Sequence, residues 1–325
     1  EQLEQAIGAL HAAGLKAYAD VVVNHKAGAD ETERFKVVKV DPVNRSKIIS
    51  EPFEIEGWTK FTFPGRKNKY SKFQYYFNHF TATDFDQATG EKGIYRILGE
   101  GKTFNENVDP EFGNYDYLMY ADLDYEHPDV IEATVRWGKW FAETLKLDGF
   151  RLDAVKHINA DFIEHFLREV RSHIKRDFYA VGEYWTADAD TLRTYLSDVD
   201  HQLNLFDVTL HFNFHDASLQ NNEYDLTQIF AGTLVESNPW NTVTFVDNHD
   251  SQYGQSLQSW VEDWFKPLAY ALILLRRDGY PCLFYGDYYG TGGPDALAGH
   301  RDILDVLLHA RRELAYGEQI DTFDH

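Results

Sequence analysis

The sequence has very little cysteine and methionine and a shortage of positive charge. Among 325 residues there is one cysteine, Cys282, and one methionine. A single cysteine excludes a disulfide within the chain. Lysine and arginine number 31 against 53 aspartates and glutamates, which gives a net charge of −22. This charge argues against a nucleic-acid partner, because phosphate recognition needs a basic face.

Long apolar runs are also absent. No run approaches the roughly 18–20 residues that a membrane-spanning helix needs. The most apolar helical stretch, Leu268 to Leu275, is followed directly by Arg276 and Arg277. A helix in the protein core is therefore the better interpretation, and we expect no membrane partner. Hydrophobic residues make up 43% of the chain, which is typical of a globular protein with a large core.

Helix and strand patterns alternate in most of the chain. A helical pattern over residues 3–10 precedes a strand pattern over residues 15–23. Further strands are predicted at 150–153, 178–183, 206–212, 242–246 and 281–285, with helices between them, among them 128–147, 260–277 and 302–314. Six strands alternating with helices indicate a parallel sheet with right-handed crossovers. A doubly wound open sheet is the alternative, but no glycine-rich phosphate loop follows any strand.

Residues 28 to 126 interrupt this alternation. The segment is rich in turn formers and aromatic residues and contains short β-like runs at 35–40, 59–63 and 75–80. It carries too many large apolar groups for a linker, so we predict an inserted β-rich subdomain. The predicted organisation is an α/β segment over residues 1–25, the β-rich insert over 26–126, and the remainder of the α/β domain over 127–325.

Polar side chains follow the predicted strands at their carboxyl ends. They are Asn24, His25, Arg151, Asp153, Glu183, Asp247, His249 and Asp250. In a (β/α)8 barrel these strand ends converge on one face, where the active site is built. Glycosidic cleavage needs one carboxyl group to protonate the leaving oxygen and another to meet the developing oxocarbenium ion. On spacing alone, a salt-bridge network lining the barrel mouth explains these carboxylates equally well.

Four segments occur in a specific order, namely residues 20–25, 149–157, 182–185 and 245–250. They resemble the four signature segments of the α-amylase family, glycoside hydrolase family 13, and residues 120–125 resemble a fifth. Four ordered segments at four strand ends are far more specific than any one of them, so the resemblance outweighs the salt-bridge network. It implies a (β/α)8 TIM barrel with a β-rich subdomain inserted after the third barrel strand.

The resemblance also implies a role for each residue of the predicted site. Asp153 is expected to be the nucleophile, Glu183 the general acid and then the general base, and Asp250 a stabiliser of the transition state. The expected separation of the first two carboxyl groups is about 5–5.5 Å, as in retaining enzymes. The implied substrate contacts are His25, Arg151, Lys156, His157, Trp185 and His249. Arg151 is further expected to keep Asp153 ionised and to pair with Asp20.

Two of these assignments have alternatives. Trp185 is also explained as a core residue, and His157 as a residue whose main chain faces a metal. The family binds Ca²⁺ between barrel and insert, and hard cations need several oxygen ligands. The matching positions are Asn24, Asp116, Asp122 and the carbonyl of His157.

The sequence departs from its calcium-rich relatives at a second cluster of aspartates. Thr81, Asn105 and Glu126 stand where those relatives carry aspartate, and only Asp124 remains. We therefore expect no second metal cluster. The amino-acid sequence of the insert, at residues 27–33 and 51–57, is most similar to the cytoplasmic bacterial branch of the family. Cytoplasmic localisation is thus expected, with secretion as the alternative.

The expected activity is endo-acting hydrolysis of α-1,4-glucosidic bonds in starch, glycogen or maltodextrins by a monomeric enzyme. A transglycosylase or debranching relative on the same barrel is one alternative, although Gly182–Trp185 favours the amylase branch. A non-catalytic carbohydrate-binding relative is another. Because the three carboxylates are all present, the sequence argues against this second alternative.

The barrel of such enzymes has eight strands, whereas the pattern predicts six, with a helix before the first. We expect the first two barrel strands to precede Glu1 and a C-terminal β-domain to be absent. Open sheet edges expose unpaired main-chain groups. The expectation is therefore that this polypeptide alone is insoluble or molten and inactive.

Overall fold

The computed structural model describes residues 1–320 and 322. The predicted barrel segment 127–325 thus ends in residues that lie outside the described ones. The chain divides into two compact units: residues 1–183 with 198–202, and residues 184–197 with the chain from 203 onwards. None of the described helices is both long enough and apolar enough to cross a membrane.

The first unit contains three helices and nine strands. In chain order they are α1 (Gln2–Ala12), β1 (Tyr18–Val21), β2 (His25–Lys26), β3 (Glu31–Val40), β4 (Phe53–Lys60), β5 (Ala82–Asp86), β6 (Glu91–Ile97), β7 (Ala121–Asp122), α2 (Pro128–Leu145), β8 (Gly149–Leu152), α3 (Ala160–Ile174) and β9 (Tyr179–Gly182). The strands β1, β8 and β9 are parallel, with β8 in the middle. Because parallel strands end at the same edge of a sheet, the residues after β8 and β9 are neighbours.

The insert is β-rich, as the sequence predicts. It forms a four-stranded antiparallel sheet in the order β4-β3-β6-β5 and a two-stranded ribbon of β2 and β7. The strand predicted at 75–80 is wrong: Tyr75 forms an isolated bridge with Phe61, and Phe77–His79 is a single 3-10 turn. The turn forms because the main-chain N–H of Tyr76 donates to Nδ1 of His79 at 2.9 Å.

The second unit contains three further parallel strands, which brings the described parallel strands to the predicted six. Its elements are α4 (Ala189–Asp198), β10 (Asn204–Phe206), α5 (Val208–Gln220), α6 (Leu234–Ser237), β11 (Thr242–Phe245), α7 (Lys266–Leu275), β12 (Tyr280–Cys282), α8 (Tyr285–Tyr289) and α9 (Arg301–Glu313). The strand β11 lies between β10 and β12. Helices α5, α7 and α9 supply most of the apolar core of this unit.

Three predicted boundaries in the second unit are wrong. The strand predicted at 281–285 ends at Cys282, and α8 begins at Tyr285. The strand predicted at 206–212 ends at Phe206, because the Asp207 side chain accepts from the N–H of Leu210 at 3.0 Å and begins α5. The helix predicted at 260–277 begins only at Lys266, with Pro267 in its first turn. Proline suits that position since it lacks the N–H that a helix start leaves unbonded.

Candidate active site

Arg151 connects three carboxylates at the carboxyl edge of β1, β8 and β9. Its Nη1 atom lies 2.8 Å from Oδ1 of Asp20 and also bonds Oδ1 of Asp153. Its Nη2 atom lies 3.0 Å from Oε2 of Glu183. Burial acts to lower the pKa of Arg151, but the charges of Glu183, Asp20 and Asp153 together raise it above its ordinary value. A permanently positive guanidinium therefore bridges Asp153 and Glu183.

The backbone after Asp153 is held in an unusual conformation. Ala154 has a φ of 51°, in the left-handed region, which costs a non-glycine residue roughly 1–2 kcal/mol. The N–H of Ala154 points at Oε2 of Glu183 at 3.3 Å, and the N–H of Val155 donates to the Glu183 carbonyl at 3.0 Å. The strained turn thus orients the chain after Asp153 towards Glu183.

His25 begins the short ribbon of β2 and β7, where it pairs with Asp122. Its ring lies 5.7 Å from the ring of Tyr120. Burial lowers the pKa of His25, and the negative charge of Asp153 opposes this effect only in part. The imidazole is therefore neutral near pH 7 and offers one donor and one acceptor close to Asp153.

His249 and Asp250 lie on the turn that follows β11 in the second unit. The Nε2 atom of His249 is 3.3 Å from Oδ2 of Asp250. The N–H of Asp250 donates to Oδ1 of Asn248 at 2.9 Å. Both site residues are partly exposed at the carboxyl end of their strand.

Lys156 and His157 are buried rather than open to solvent. The Lys156 ammonium lies 2.9 Å from Oε2 of Glu111. The Nδ1 atom of His157 donates to the carbonyl of Tyr115 at 2.7 Å, and burial lowers the pKa of His157 to about 3. These contacts use the side chains within unit 1 and favour the main chain of His157 as its functional part.

Trp185 packs within the second unit. Its ring centre lies 5.5 Å from that of His211, 6.1 Å from that of Phe212 and 6.3 Å from that of Phe245. These contacts support the core interpretation of Trp185, whose side chain is partly buried.

A cavity of about 500 Å³ beside the β2–β7 ribbon was not predicted. Trp58 and Tyr120 line it and are 42% and 48% exposed, respectively. Asp84 and Lys92 add polar groups to the same wall. The sequence gives only a weak signal for this cavity, because the pattern around Trp58 does not show whether its side chain is exposed. In the structure it is exposed on β4.

Two buried carboxylates form the core of the predicted metal site. Asp116 and Asp122 are each 1% exposed. Burial raises the pKa of Asp116 to about 7, and burial together with the charge of Asp116 raises the pKa of Asp122. Oδ1 of Asp122 lies 3.2 Å from Nδ2 of Asn24, and its Oδ2 accepts from the Thr81 hydroxyl at 2.6 Å. Two neighbouring buried carboxylates are costly unless a cation compensates them.

Asn105 adds an independent sign of a cation. Its main-chain and side-chain N–H groups donate to the two oxygens of Asp116, at 3.0 and 2.7 Å. Its own Oδ1 is buried and has no hydrogen-bond partner within the described part of the chain. Carboxylate and amide oxygens are the ligands that hard cations prefer. The residues present therefore fit a calcium ion.

The acidic residue that remains from the second cluster is neutralised by a lysine. The Lys102 ammonium lies 2.6 Å from Oδ2 of Asp124 and donates to the carbonyl of Phe80 at 3.0 Å. Glu126 accepts from the main-chain N–H of Glu106 at 3.3 Å. The charge of Asp124 is thus balanced without a second metal.

His79, His127 and Asp129 also lie together, with potential ligand atoms within 4.8 Å of one another. The Nδ1 atoms of both rings accept main-chain N–H groups, from Tyr76 and Asp129. A neutral ring that accepts at Nδ1 carries its proton at Nε2. Metal binding at Nε2 would require both of these main-chain hydrogen bonds to break, so the hydrogen bonding argues against a metal here.

Comparison with known proteins finds relatives that match the whole chain. The chain is 49% identical to an α-amylase of Geobacillus stearothermophilus, 47% to one of Bacillus licheniformis and 44% to the cytoplasmic α-amylase of Escherichia coli (strain K12). Each match covers the whole chain, which spans 59%, 63% and 68% of these relatives, respectively.

Solved structures share the fold. An Anoxybacillus α-amylase superposes with a TM-score of 0.59 at 22% identity, over 96% of this chain and 60% of that one. An acarbose complex of a Geobacillus thermoleovorans α-amylase gives 0.58 at 21% identity, over 96% of this chain and 61% of that one. Residues 1–314 match the family model for the α-amylase catalytic domain. The TIM-barrel class implied by the four signature segments is thereby confirmed, and the chain belongs to the α-amylase family.

Proposed function

We propose that this protein hydrolyses internal α-1,4-glucosidic bonds of starch-type glucans with retention of configuration. The observation that carries the proposal is the Arg151 guanidinium, which holds Asp153 and Glu183 at one sheet edge. Retaining glycosidases use two carboxyl groups that lie close together, one as nucleophile and one as acid and base. Arg151 bonds the Asp153 carboxylate directly and so fixes its position for attack.

The reaction then proceeds in two steps. Asp153 attacks the anomeric carbon while the bond to the leaving glucan breaks, and Glu183 donates its proton to the leaving oxygen. Glu183 next removes a proton from water, which attacks the same carbon and releases Asp153. Each step inverts the configuration, so the α-anomer is restored. His25 binds hydroxyl groups of the sugar, and the family resemblance assigns hydroxyl binding to His249 and Asp250 as well.

The cavity beside the β2–β7 ribbon supports a glucan as substrate. Exposed aromatic rings pack against the C–H faces of sugars, and Trp58 and Tyr120 offer two such rings. Asp84 and Lys92 provide hydrogen-bonding groups for hydroxyls. A relative with 47% identity, from Bacillus sp. (strain 707), is a glucan 1,4-α-maltohexaosidase.

A calcium ion completes the proposed site. Asn24, Asp116, Asp122 and the carbonyl of His157 would hold it, with the Asn105 amide oxygen as a further donor. The ion would supply positive charge that compensates both buried carboxylates. Its proposed ligands come from the chain after β1 and from the end of the insert, so binding would stabilise the segment that carries His25.

Digestion of amylose by the protein at its full natural length tests this function. An endo-acting hydrolase lowers the iodine colour much faster than it releases reducing ends. Products longer than the added chains would identify a transglycosylase, and binding without any reducing ends would identify a non-catalytic relative.

The same preparation is expected to sediment as a monomer, and cell fractionation is expected to place it in the cytoplasm, as the name of the Escherichia coli relative suggests.

A further inference from the structure

Lys266 is a fully buried lysine at the start of α7, with an exposure of 0%. Its ammonium lies 2.8 Å from Oδ2 of Asp247 and also bonds Oδ1 of Asp287. The same atom lies 3.1 Å from the centre of the Trp260 ring. Burial of three charged groups is costly, and well-packed apolar residues often stabilise such a position equally well. Net stability alone therefore gives little reason for a lysine here.

A continuous chain of hydrogen bonds runs from Lys266 to Asp250. Oδ1 of Asp247 accepts from the Ser251 hydroxyl at 2.7 Å. That hydroxyl accepts from the N–H of Asn248 at 3.0 Å, and Oδ1 of Asn248 accepts from the N–H groups of Asp250 and Ser251, at 2.9 and 2.8 Å. Each main-chain N–H of the turn, apart from that of His249, is thus bonded within this chain of contacts.

A second arm leads to the segment after β12. Oδ2 of Asp287 accepts from the Tyr270 hydroxyl at 2.5 Å, and that hydroxyl accepts from the N–H of Phe284 at 3.3 Å. The carbonyl of Asp287 accepts from the N–H of His300 at 2.7 Å. Lys266 therefore cross-links the turn after β11 to the segment after β12, because its ammonium contacts both Asp247 and Asp287.

We propose that Lys266 is a positioning residue for the reaction: through Asp247 and Ser251 it fixes the turn that presents His249 and Asp250. The inference rests on the proposed function, because Asp250 matters only if the site cleaves glucans. Lys266 does not contact the sugar. It acts by holding the main chain of Asp250, and a misplacement of about 1 Å in a catalytic group costs roughly 10²-fold in rate.

Lys266→Met removes the positive charge that compensates the two buried carboxylates, and it is liable to unfold. Ser251→Ala is therefore the main test, since it removes only the hydroxyl that joins Asp247 to Asn248. Ser218→Ala is a matched control. The Ser218 hydroxyl is equally buried, donates to the carbonyl of His215 at 2.7 Å and accepts from the N–H of Glu262 at 3.1 Å.

Steady-state kinetics and amide hydrogen exchange are measured on the wild type, Ser251→Ala and Ser218→Ala, each at full natural length. In Ser251→Ala, kcat on a maltooligosaccharide is expected to fall about ten-fold or more with KM nearly unchanged. Amide hydrogen exchange at residues 248–251 is expected to accelerate by a similar factor. Ser218→Ala should lower Tm by about as much as Ser251→Ala does. It should leave kcat and the exchange rate at residues 248–251 within about two-fold of the wild-type values, because the hydrogen bonds it removes lie elsewhere.

The exchange and kinetic results together support or overturn the positioning role of Lys266. Unchanged exchange at 248–251 in Ser251→Ala overturns the proposal, and so does faster exchange with an unchanged kcat. Where Lys266→Met folds, it should show the same split between kcat and KM. A wild-type protein without glucan hydrolysis contradicts the proposed function instead. The exchange measurement still tests whether the network holds the turn in that case.

Discussion

Single side chains at the edge of unit 1 give the two carboxylates different environments. Glu183 is buried and receives the N–H of Ala154, whereas Asp153 is partly exposed. Arg151 contacts both. Unlike surroundings allow two carboxyl groups to take an acidic and a nucleophilic role, which supports the division of roles in the proposed mechanism.

Asp153→Asn is predicted to abolish turnover. An amide cannot form the covalent glycosyl ester, so kcat on starch should fall on the order of 10⁴-fold or more. Asp20→Asn is the matched control, since Asp20 bonds the same Nη1 atom of Arg151 from a largely exposed position. An exposed ion pair contributes at most about 1 kcal/mol, so Asp20→Asn should lose less than about ten-fold. Equal losses in both variants would contradict the assignment of Asp153.

Glu183→Gln is predicted to separate the acid role from the base role. Loss of a general acid lowers starch hydrolysis by roughly 10²–10⁴-fold. An α-maltosyl fluoride has a leaving group that needs no proton, so its first step should persist. The expected result is a burst of one fluoride per protein and a covalent adduct in the mass spectrum. A first step as slow with the fluoride as with starch would show that Glu183 is not the acid.

The sequence predicted that Asp153 and Glu183 lie at one sheet edge because each follows a β-type run directly, and the signature segments supplied their expected roles. It did not predict Lys266, which lies 19 positions after Asp247 in the chain. A charged residue at the start of an apolar helix looks like a surface residue until the fold places it against Asp247 and Asp287. Trp185 shows the same limit, since its packing on Phe245 depends on residues 60 positions away.

At the scale of elements, the insert is tied to the chain after β1 by the β2–β7 ribbon. Asn24 directly precedes β2, His25 begins it, and Asp122 ends β7. The antiparallel pairing places His25 opposite Asp122. The candidate metal site and a candidate sugar contact therefore share one small ribbon, and loss of the metal should disturb both.

Calcium removal is predicted to destabilise the protein. A ligand present at 100 times its Kd contributes about 2.7 kcal/mol to the folded state. A chelator should therefore lower Tm by about 5 °C or more, with activity lost in parallel. Elemental analysis should find one calcium per protein in the wild type and in Asp124→Asn, because Asp124 pairs with Lys102. Asp122→Asn should lose it. A second calcium, or indifference to chelator, would contradict this account.

His211 in α5 is predicted to make unit 2 sensitive to acid. Burial lowers the pKa of His211 to about 4 from an ordinary value of 6.5. The unfolded chain binds this proton at a higher pH than the folded one, so stability present above pH 6.5 is lost as the pH falls to 4. The loss is about 3 kcal/mol for this residue.

Unfolding by denaturant at several pH values measures this effect. His211→Asn removes the titration and keeps a donor for the carbonyl of Val246, which His211 Nδ1 contacts at 2.6 Å. The variant should have a shallower decline of unfolding free energy between pH 6.5 and 4. An identical decline in both proteins would show that other groups account for the acid sensitivity.

Most elements were predictable from periodicity, and the failures have local causes. The run from Phe206 to Phe212 has β-type composition, but the Asp207 side chain caps a helix, so α5 begins within it. The turn at Phe77–His79 similarly depends on a side-chain contact to a main-chain N–H. Such competition between a side chain and the strand ladder is not visible in an apolar pattern.

At the scale of the whole molecule, family membership rests on the full length of the chain. The match to the α-amylase catalytic domain covers residues 1–314, and the chain spans 59–68% of three curated relatives. Its six described parallel strands agree with the predicted number. The order of the four signature segments predicted this fold better than any property of composition did.

The configuration of the first product tests the central claim most directly. Proton NMR of the protein at full natural length, acting on a maltooligosaccharide, follows the anomeric signals before mutarotation equilibrates them. The proposed double displacement predicts that the α-anomer appears first and the β-anomer grows in later, with no product from Asp153→Asn. Initial release of the β-anomer, or an active Asp153→Asn protein, would contradict retention by Asp153 and Glu183.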